Sequence, residues 1–516
     1  MKRRFFLLGS LAVMIAVAGS CKKFLDKKPH FLGPDAYYSN ENDVKSALAG
    51  IYDIVGQETM WGGQIPIRHN ATTDESFFSY QTFPSGPFRY NYDASDTYVG
   101  GLWRNLYTGI ERANTLLFNI DKAEMDNGKR AIAKGEALFL RGFYYFTLVQ
   151  YYGDVPLKLL PSTSVNNVDI ERTPSKEVYA QIIADMKEAE TLVKTSSEIG
   201  SSGQVSKSTV RGILARVFLT MAGAPLHDTE KFKDAREWAL KVKESGEHML
   251  NPEFSKIFIN ECADVEDNKE CIWEAEAYGT NTDPYREGGR IGNENGVLCR
   301  ATDDILKDVG YAYGFNSTTY RQYFLYAPND VRRDWTISTY SMNTAGVKTT
   351  LAASNIYGRN CAKWRREYEV VSPKTKNYTP TNFPMLRYAD VLLMLAEAEN
   401  EVTGATALAH EALNLVRKRA RLADTTIATQ EGFRAEIRNE RARELCFEGL
   451  RKPDLIRWGI FVQTMQDVAD EFRARANASF QYAAVNAASV NERHLLYPIP
   501  LAEMSLNKKM VQNPFW

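Results

Sequence analysis

The stretch RAIAKGEALFLRGFYYFTLVQYYGDVPL, residues 130–157, places apolar side chains at Ala133, Ala137, Leu140, Tyr144 and Leu148. Steps of three and four put them on one side of a helix, as a stripe that must be covered by another element. Gly153 and Pro156 end the run. Six further segments repeat the pattern: RTPSKEVYAQIIADMKEAETLV, SKSTVRGILARVFLTMAG, KFKDAREWALKVKESGE, RYADVLLMLAEAENEV, ATALAHEALNLVRKRAR and EGFRAEIRNERARELCFEGLRKPDLIRWG. The first of them is predicted to start with Thr173 as its cap and Pro174 at the first helical position. Because the links are short, successive helices must fold back on one another as antiparallel hairpins. A mostly α-helical fold is therefore expected.

Hairpins stacked side by side resemble tetratricopeptide arrays, in which each unit buries its stripe against its neighbours. The period here is irregular, so the prediction is of architecture and not of a repeat code. Residues 34–250 read as an N-terminal helical region containing an aromatic loop at 57–107. Residues 251–384 are rich in Gly, Asn, Thr, Tyr and Pro and read as a loop and short-strand insertion, and 385–516 as a C-terminal helical region. The span 21–516 is expected to form one unit.

Lys2, Arg3 and Arg4 precede an apolar run from Phe5 to Gly19 that would reach only about 22 Å as a helix, too short to span a bilayer comfortably. Ala18, Gly19 and Ser20 follow, giving the charged, apolar and small-residue order of a secretory signal over residues 1–20. The next residue is Cys21. The segment resembles a bacterial lipoprotein signal, in which cleavage frees this cysteine for acylation, and several acyl chains hold a protein stably where one does not. The plain alternative is a secreted protein with a stray cysteine. Residues 21–33 then read as a lipid-anchored tether, whose segment 22–33 could extend about 40 Å at ~3.4 Å per residue.

The remaining cysteines, Cys262, Cys271, Cys299, Cys361 and Cys446, are odd in number and show no C-x-x-C, so neither a disulfide framework nor a zinc signature is present. Cys262 and Cys271 could bridge or remain buried thiols. A net charge of -1 argues against a nucleic-acid partner.

Aromatic residues concentrate twice. Residues 57–107 hold 11 in 51 positions, and residues 311–340 hold 9 in 30. Irregular segments on a rigid scaffold are where binding usually sits. A pyranose ring offers one C–H face and a rim of hydroxyls, which flat aromatic plates and forked polar side chains would match. For any single ring, a place in the core is the commoner fate. Within these loops, Trp61, Phe78, Tyr80, Tyr90 and Trp335 are the expected stacking plates, with Asp74, Arg89 and Arg333 as hydroxyl clamps. A glycosidase would need two facing carboxylates. The adjacent acids of TTDES, residues 72–76, point to opposite sides if extended, and no H-E-x-x-H, G-x-S-x-G or P-loop occurs. The charges in IRNERARELCFEG, namely Arg438, Glu440, Arg441, Arg443 and Glu444, read as a structural lattice rather than a catalytic one. DVRRDW, residues 330–335, reads as a turn clamped by arginines.

Eight segments in order make the chain resemble the SusD/RagB family of outer-membrane nutrient-binding lipoproteins of Bacteroidetes. They are CKKFLDKKP, NDVKSALAGIY, LWRNLYTGIERAN, EALFLRGFYYFTLVQYYGDVPL, RYADVLLMLAEAEN, LNLVRKRA, ERARELCFEGLRKPDLIRWG and LYPIPLAEMSLNKKMVQNPFW. Three positions depart from the family pattern. Arg421 stands where Gly commonly ends the VRKRA helix, Pro453 replaces a usual aromatic, and Phe515 replaces the Gly of a terminal NPGW. The resemblance implies a tetratricopeptide-like scaffold without catalysis, cofactor or metal, anchored in the outer membrane and capping a SusC-type TonB-dependent transporter to which a captured glycan or peptide is passed. It implies a ligand region, the loops at about 60–105 and 280–340. A lipid-anchored glycosidase and a scaffold for protein partners are the alternatives.

Overall fold

A computed structural model gives the fold for residues 37–162, 164, 169–278 and 288–516. The expected signal, the tether and Cys21 lie outside the described residues. The helices of eight or more residues are α1 Glu41–Gly56, α2 Thr97–Asn119, α3 Asn127–Tyr152, α4 Ser175–Leu192, α5 Lys207–Ala222, α6 Lys231–Glu244, α7 Phe254–Ala263, α8 Tyr388–Thr403, α9 Ala407–Arg419, α10 Gln430–Glu444, α11 Phe461–Arg475 and α12 Gln481–Ala488. Among the described residues no helix is long and apolar enough to cross a membrane.

Local chemistry sets the helix ends. Asn40, Asp96, Asp126, Ser206, Thr406 and Thr429 each cap a helix by accepting backbone N–H groups of its first turn. Gly153, at φ +70°, stops α3 where expected. α4 differs from expectation. Pro174 itself takes the cap position, and Thr173 exchanges backbone hydrogen bonds with Val155 at 3.0 and 3.3 Å.

From α1 to α6 each helix packs on the next, and α6 then packs on α8, which in turn carries α9 and α10. The stack is thus continuous in space although residues 245–387 interrupt it in sequence. Burial follows this order. α3 from Gly135 to Val149 and α8 from Tyr388 to Asn400 are buried on every side, whereas α6 buries only Ala235, Trp238, Ala239 and Val242. Where α2 crosses α3, Gly109 permits the approach, since a Cβ there would lie 2.5 Å from the Tyr144 ring.

Three antiparallel strand pairs form in and against the insertion: β1 (Ser76–Phe78), from the first aromatic loop, with β3 (Asn316–Thr318), β2 (Cys271–Ala275) with β6 (Phe383–Arg387), and β4 (Tyr340–Met342) with β5 (Lys348–Thr350). The β2–β6 pair brings the two ends of the insertion together directly before α8. The stretch expected to lack helical period also contains α7, whose buried Phe254, Ile257, Phe258 and Cys262 do fall on one helical side. All five cysteines from Cys262 to Cys446 are free buried thiols, so Cys262 and Cys271 do not bridge.

The charges of α10 turn inward. Arg332, fully buried, donates to Asp330 at 2.9 and 2.7 Å, to Glu440 at 2.7 Å and to Glu444 at 3.0 Å. Arg387 reaches Glu270 at 2.8 Å, Glu444 at 3.0 Å and Glu448 at 2.7 Å. Arg419 adds a bond to Glu444 at 2.5 Å, and Arg441 joins Asp390 to Asp454 at 2.8 and 2.7 Å. Every one of these carboxylates faces a guanidinium, the condition under which buried charge is tolerated. The lattice ties α8, α9 and α10 to the insertion.

Candidate functional site

The antiparallel pairing of β1 with β3 brings the two aromatic-rich segments together, with Ser76 opposite Thr318 and Phe78 opposite Asn316. Just beyond the strands, the Ser79 N–H donates to the Phe315 carbonyl at 2.6 Å, and the Ser79 hydroxyl donates to the Gly314 carbonyl at 3.1 Å. Rings from both segments then form a row running outward from the core. Phe78 lies 5.1 Å from Phe315, Phe315 lies 4.8 Å from Tyr80, Tyr80 lies 5.6 Å from Tyr313, and Tyr313 lies 4.9 Å from Tyr311. Phe83 flanks Tyr80 at 5.7 Å. Phe78 and Phe315 are buried, whereas Tyr80, Phe83, Tyr311 and Tyr313 are half-buried and lie beside exposed Gln81 and Lys376.

Two buried arginines brace this shelf. Arg89 donates to the carbonyls of Phe83, Phe78 and Tyr80 at 3.2, 3.0 and 2.8 Å, which fixes the turn carrying Tyr80 and Phe83. Arg68 lies among the rings of Phe83, Tyr98 and Phe315 at 5.1, 5.3 and 5.3 Å and holds Glu294 through two bonds of 2.7 and 2.9 Å. Glu294 in turn offers its backbone carbonyl to the Phe315 N–H at 2.8 Å. At the rim, the Lys376 ammonium stands 5.0 Å from the Tyr311 ring and Arg290 stands 5.2 Å from Tyr378. The result is a group of half-buried rings at the surface, meeting edge to face at Tyr80–Tyr313 and Tyr313–Tyr311 and held from below, with Lys376 beside it.

The expected plates and clamps divide accordingly. Tyr80 stands on the shelf. Trp61 does not: it packs on Phe143 at 4.8 Å, inside the helical stack. Phe78 is enclosed by Phe88 at 4.2 Å and by Phe315, and Tyr90 is buried with its hydroxyl donating to the Thr72 carbonyl. Burial raises the Tyr90 phenol well above its ordinary range. Arg89, expected as a hydroxyl clamp, has its donors committed to backbone carbonyls. Asp74 likewise forms a two-bond pair with Arg451 at 2.8 and 2.7 Å, and that charge holds its carboxyl below the usual range although burial acts the other way. Glu75 instead accepts the Phe447 N–H at 3.0 Å.

Trp335 and Arg333 belong to another ring group. The Arg365 guanidinium covers Trp335 at 3.8 Å, Tyr368 lies beside it at 5.9 Å, and Arg333 pairs with Asp334 while lying 5.2 Å from Tyr323. Of the shelf residues absent from the expected set, Tyr311 and Tyr313 lie inside the second aromatic window, and their alternation with Gly310, Ala312 and Gly314 was the available signal. Tyr378 and Lys376 lie outside both windows, and no local pattern marks them.

Two family patterns match the chain, one described as the SusD family over residues 272–516 and one described as starch-binding associating with outer membrane over residues 23–219. The SusD-like protein P25 of Formosa agariphila is 24% identical, the match covering 96% of this chain and 95% of that protein. The starch-binding protein SusD of Bacteroides thetaiotaomicron is 26% identical over 91% of this chain and 89% of that one. A SusD homologue from Bacteroides thetaiotaomicron has the same fold, with a TM-score of 0.87 at 29% identity, over 94% of this chain and 98% of its own. With the two patterns together matching residues 23–219 and 272–516 and the fold shared over 94% of the chain, the chain belongs to the SusD family.

Proposed function

We propose that this protein captures a glycan on the shelf formed by Tyr80, Phe83, Tyr311 and Tyr313, without cleaving it, and passes it to a SusC-type TonB-dependent transporter. The observation that carries the reading is the row of half-buried rings at the surface braced by Arg68 and Arg89. Such a surface needs no ordering when a sugar stacks on it, so little affinity is lost to fixing side chains. Lys376, beside the Tyr311 ring, is placed to meet hydroxyls at the edge. The starch-binding relative and the family description support a carbohydrate ligand and an outer-membrane setting. Acylation of Cys21 supplies the anchor in this reading, and the tether 22–33 lets the scaffold pivot over its transporter.

The mature chain is to be titrated with starch, laminarin and xylan by calorimetry and affinity electrophoresis. Binding of at least one is expected, and Tyr80→Ala with Tyr313→Ala should weaken it about tenfold or more, roughly 1.4 kcal/mol or above. Unchanged binding in that double variant would move the site elsewhere. Release of shorter sugars during incubation would make the protein an enzyme. In cells, labelled palmitate should enter the wild-type chain and not Cys21→Ala, and co-purification should recover a large β-barrel transporter.

A further inference from the structure

A cavity of about 540 Å³ lies where the end of α3 and the start of α4 meet α11 and the last residues of the chain. That volume suits a small organic molecule. Val149, Tyr179, Leu226, Ile456 and Phe461 give it a largely apolar wall. Lys452 is set into that wall and is only 3% exposed. Among the described residues its Nζ donates to a single acceptor, the His69 carbonyl, at 3.2 Å, and the rings of Tyr90, Tyr497 and Phe461 stand 5.2, 5.3 and 5.8 Å away.

An ammonium has three donors, and a buried one ordinarily meets a carboxylate. Other buried cations of this protein do so: Arg451 has Asp74, Arg457 has Glu397 and Lys363 has Glu448. Arg89, which meets no acid, has three carbonyls. Lys452 has neither, and burial lowers its pKa to about 7. Among the ionisable groups around it, His69 and His494 are pushed down to about 3 and about 4, first by burial, Arg457 is already paired, and the exposed Glu492 and half-buried Arg493 also line the cavity.

We infer that the cavity binds a small apolar carboxylate, its hydrocarbon part against the wall and its carboxylate at the Lys452 ammonium. The full mature chain is to be titrated with decanoate and, separately, with decan-1-ol, by calorimetry and by displacement of the fluorescent anion 1-anilinonaphthalene-8-sulfonate. Saturable decanoate binding at one site per chain is expected, at least tenfold tighter than the alcohol. Lys452→Met should make acid and alcohol equal. Val462→Trp, which adds bulk at a half-buried lining position and keeps the lysine, should remove both, and neither change should alter glycan binding at the shelf. No saturable decanoate binding, equal binding of acid and alcohol by the wild type, or full binding in Val462→Trp would each overturn the inference.

Discussion

Arg421 and Phe515 hold left-handed backbone, at φ +62° and +70°. These are two of the positions where the family pattern has glycine, so the departures visible in the sequence fall where a Cβ is least welcome. A side chain in this conformation costs about 1–2 kcal/mol, and glycine gives part of that back through the greater freedom of its unfolded chain. The exposed Arg421 is the cleaner case, because its neighbours lose little when it is shortened. Arg421→Gly should raise unfolding stability by up to about 1 kcal/mol, seen as a higher urea midpoint at unchanged slope. A lower midpoint would mean that the arginine makes contacts worth more than the backbone strain.

The helices were legible because apolar periodicity is local, whereas the one cap expected from the sequence, Thr173, gave way to Pro174. The pairing of β1 with β3 joins residues far apart in the chain, and neither three-residue strand alternates, since all six residues are buried. Ring counts therefore located the two loops but could not say which rings faced inward, and Trp61, Phe78 and Tyr90 were placed on the wrong side. α10 teaches the same lesson with charges. The spacing of Glu440, Arg443 and Glu444 showed a lattice, while its partners Arg332, Arg387 and Arg419 come from other elements that no spacing rule connects. Arg332→Met would leave Asp330, Glu440 and Glu444 without their shared cation and should cost about 3–5 kcal/mol in urea unfolding. Arg473→Met, which breaks only the exposed pair with Asp470, should stay within about 0.5 kcal/mol. Equal effects of the two changes would show that the buried lattice is no more than surface decoration in energetic terms.

At the scale of the whole molecule, the packing of α6 on α8 closes the stack and the buried lattice ties the insertion to it, with Glu274 where the insertion meets the loop before α5. It accepts the Ser202 hydroxyl at 2.9 Å and the Asn382 amide at 3.2 Å, from opposite sides of the insertion's closing strand pair. Burial, reinforced by the nearby Glu266 charge, pushes its carboxyl up to about 8. The unfolded chain releases that proton near pH 4.3. Between these values the folded state holds the extra proton, so its stability falls as pH rises through the window. Glu274→Gln keeps a neutral group of the same shape at every pH and leaves in place the titrating groups that do not couple to Glu274, Glu75 among them, so their contributions cancel in the difference, while Glu261 and Glu266 respond to the lost charge as part of the same effect. Wild type and variant should match near pH 4, and the variant should then gain an advantage reaching on the order of 1–3 kcal/mol by pH 8, measured as urea unfolding free energies across the series. An advantage that stays constant from pH 5 to 8 would mean that Glu274 is already ionised in the fold, and that the seam between stack and insertion carries a charge its surroundings can tolerate.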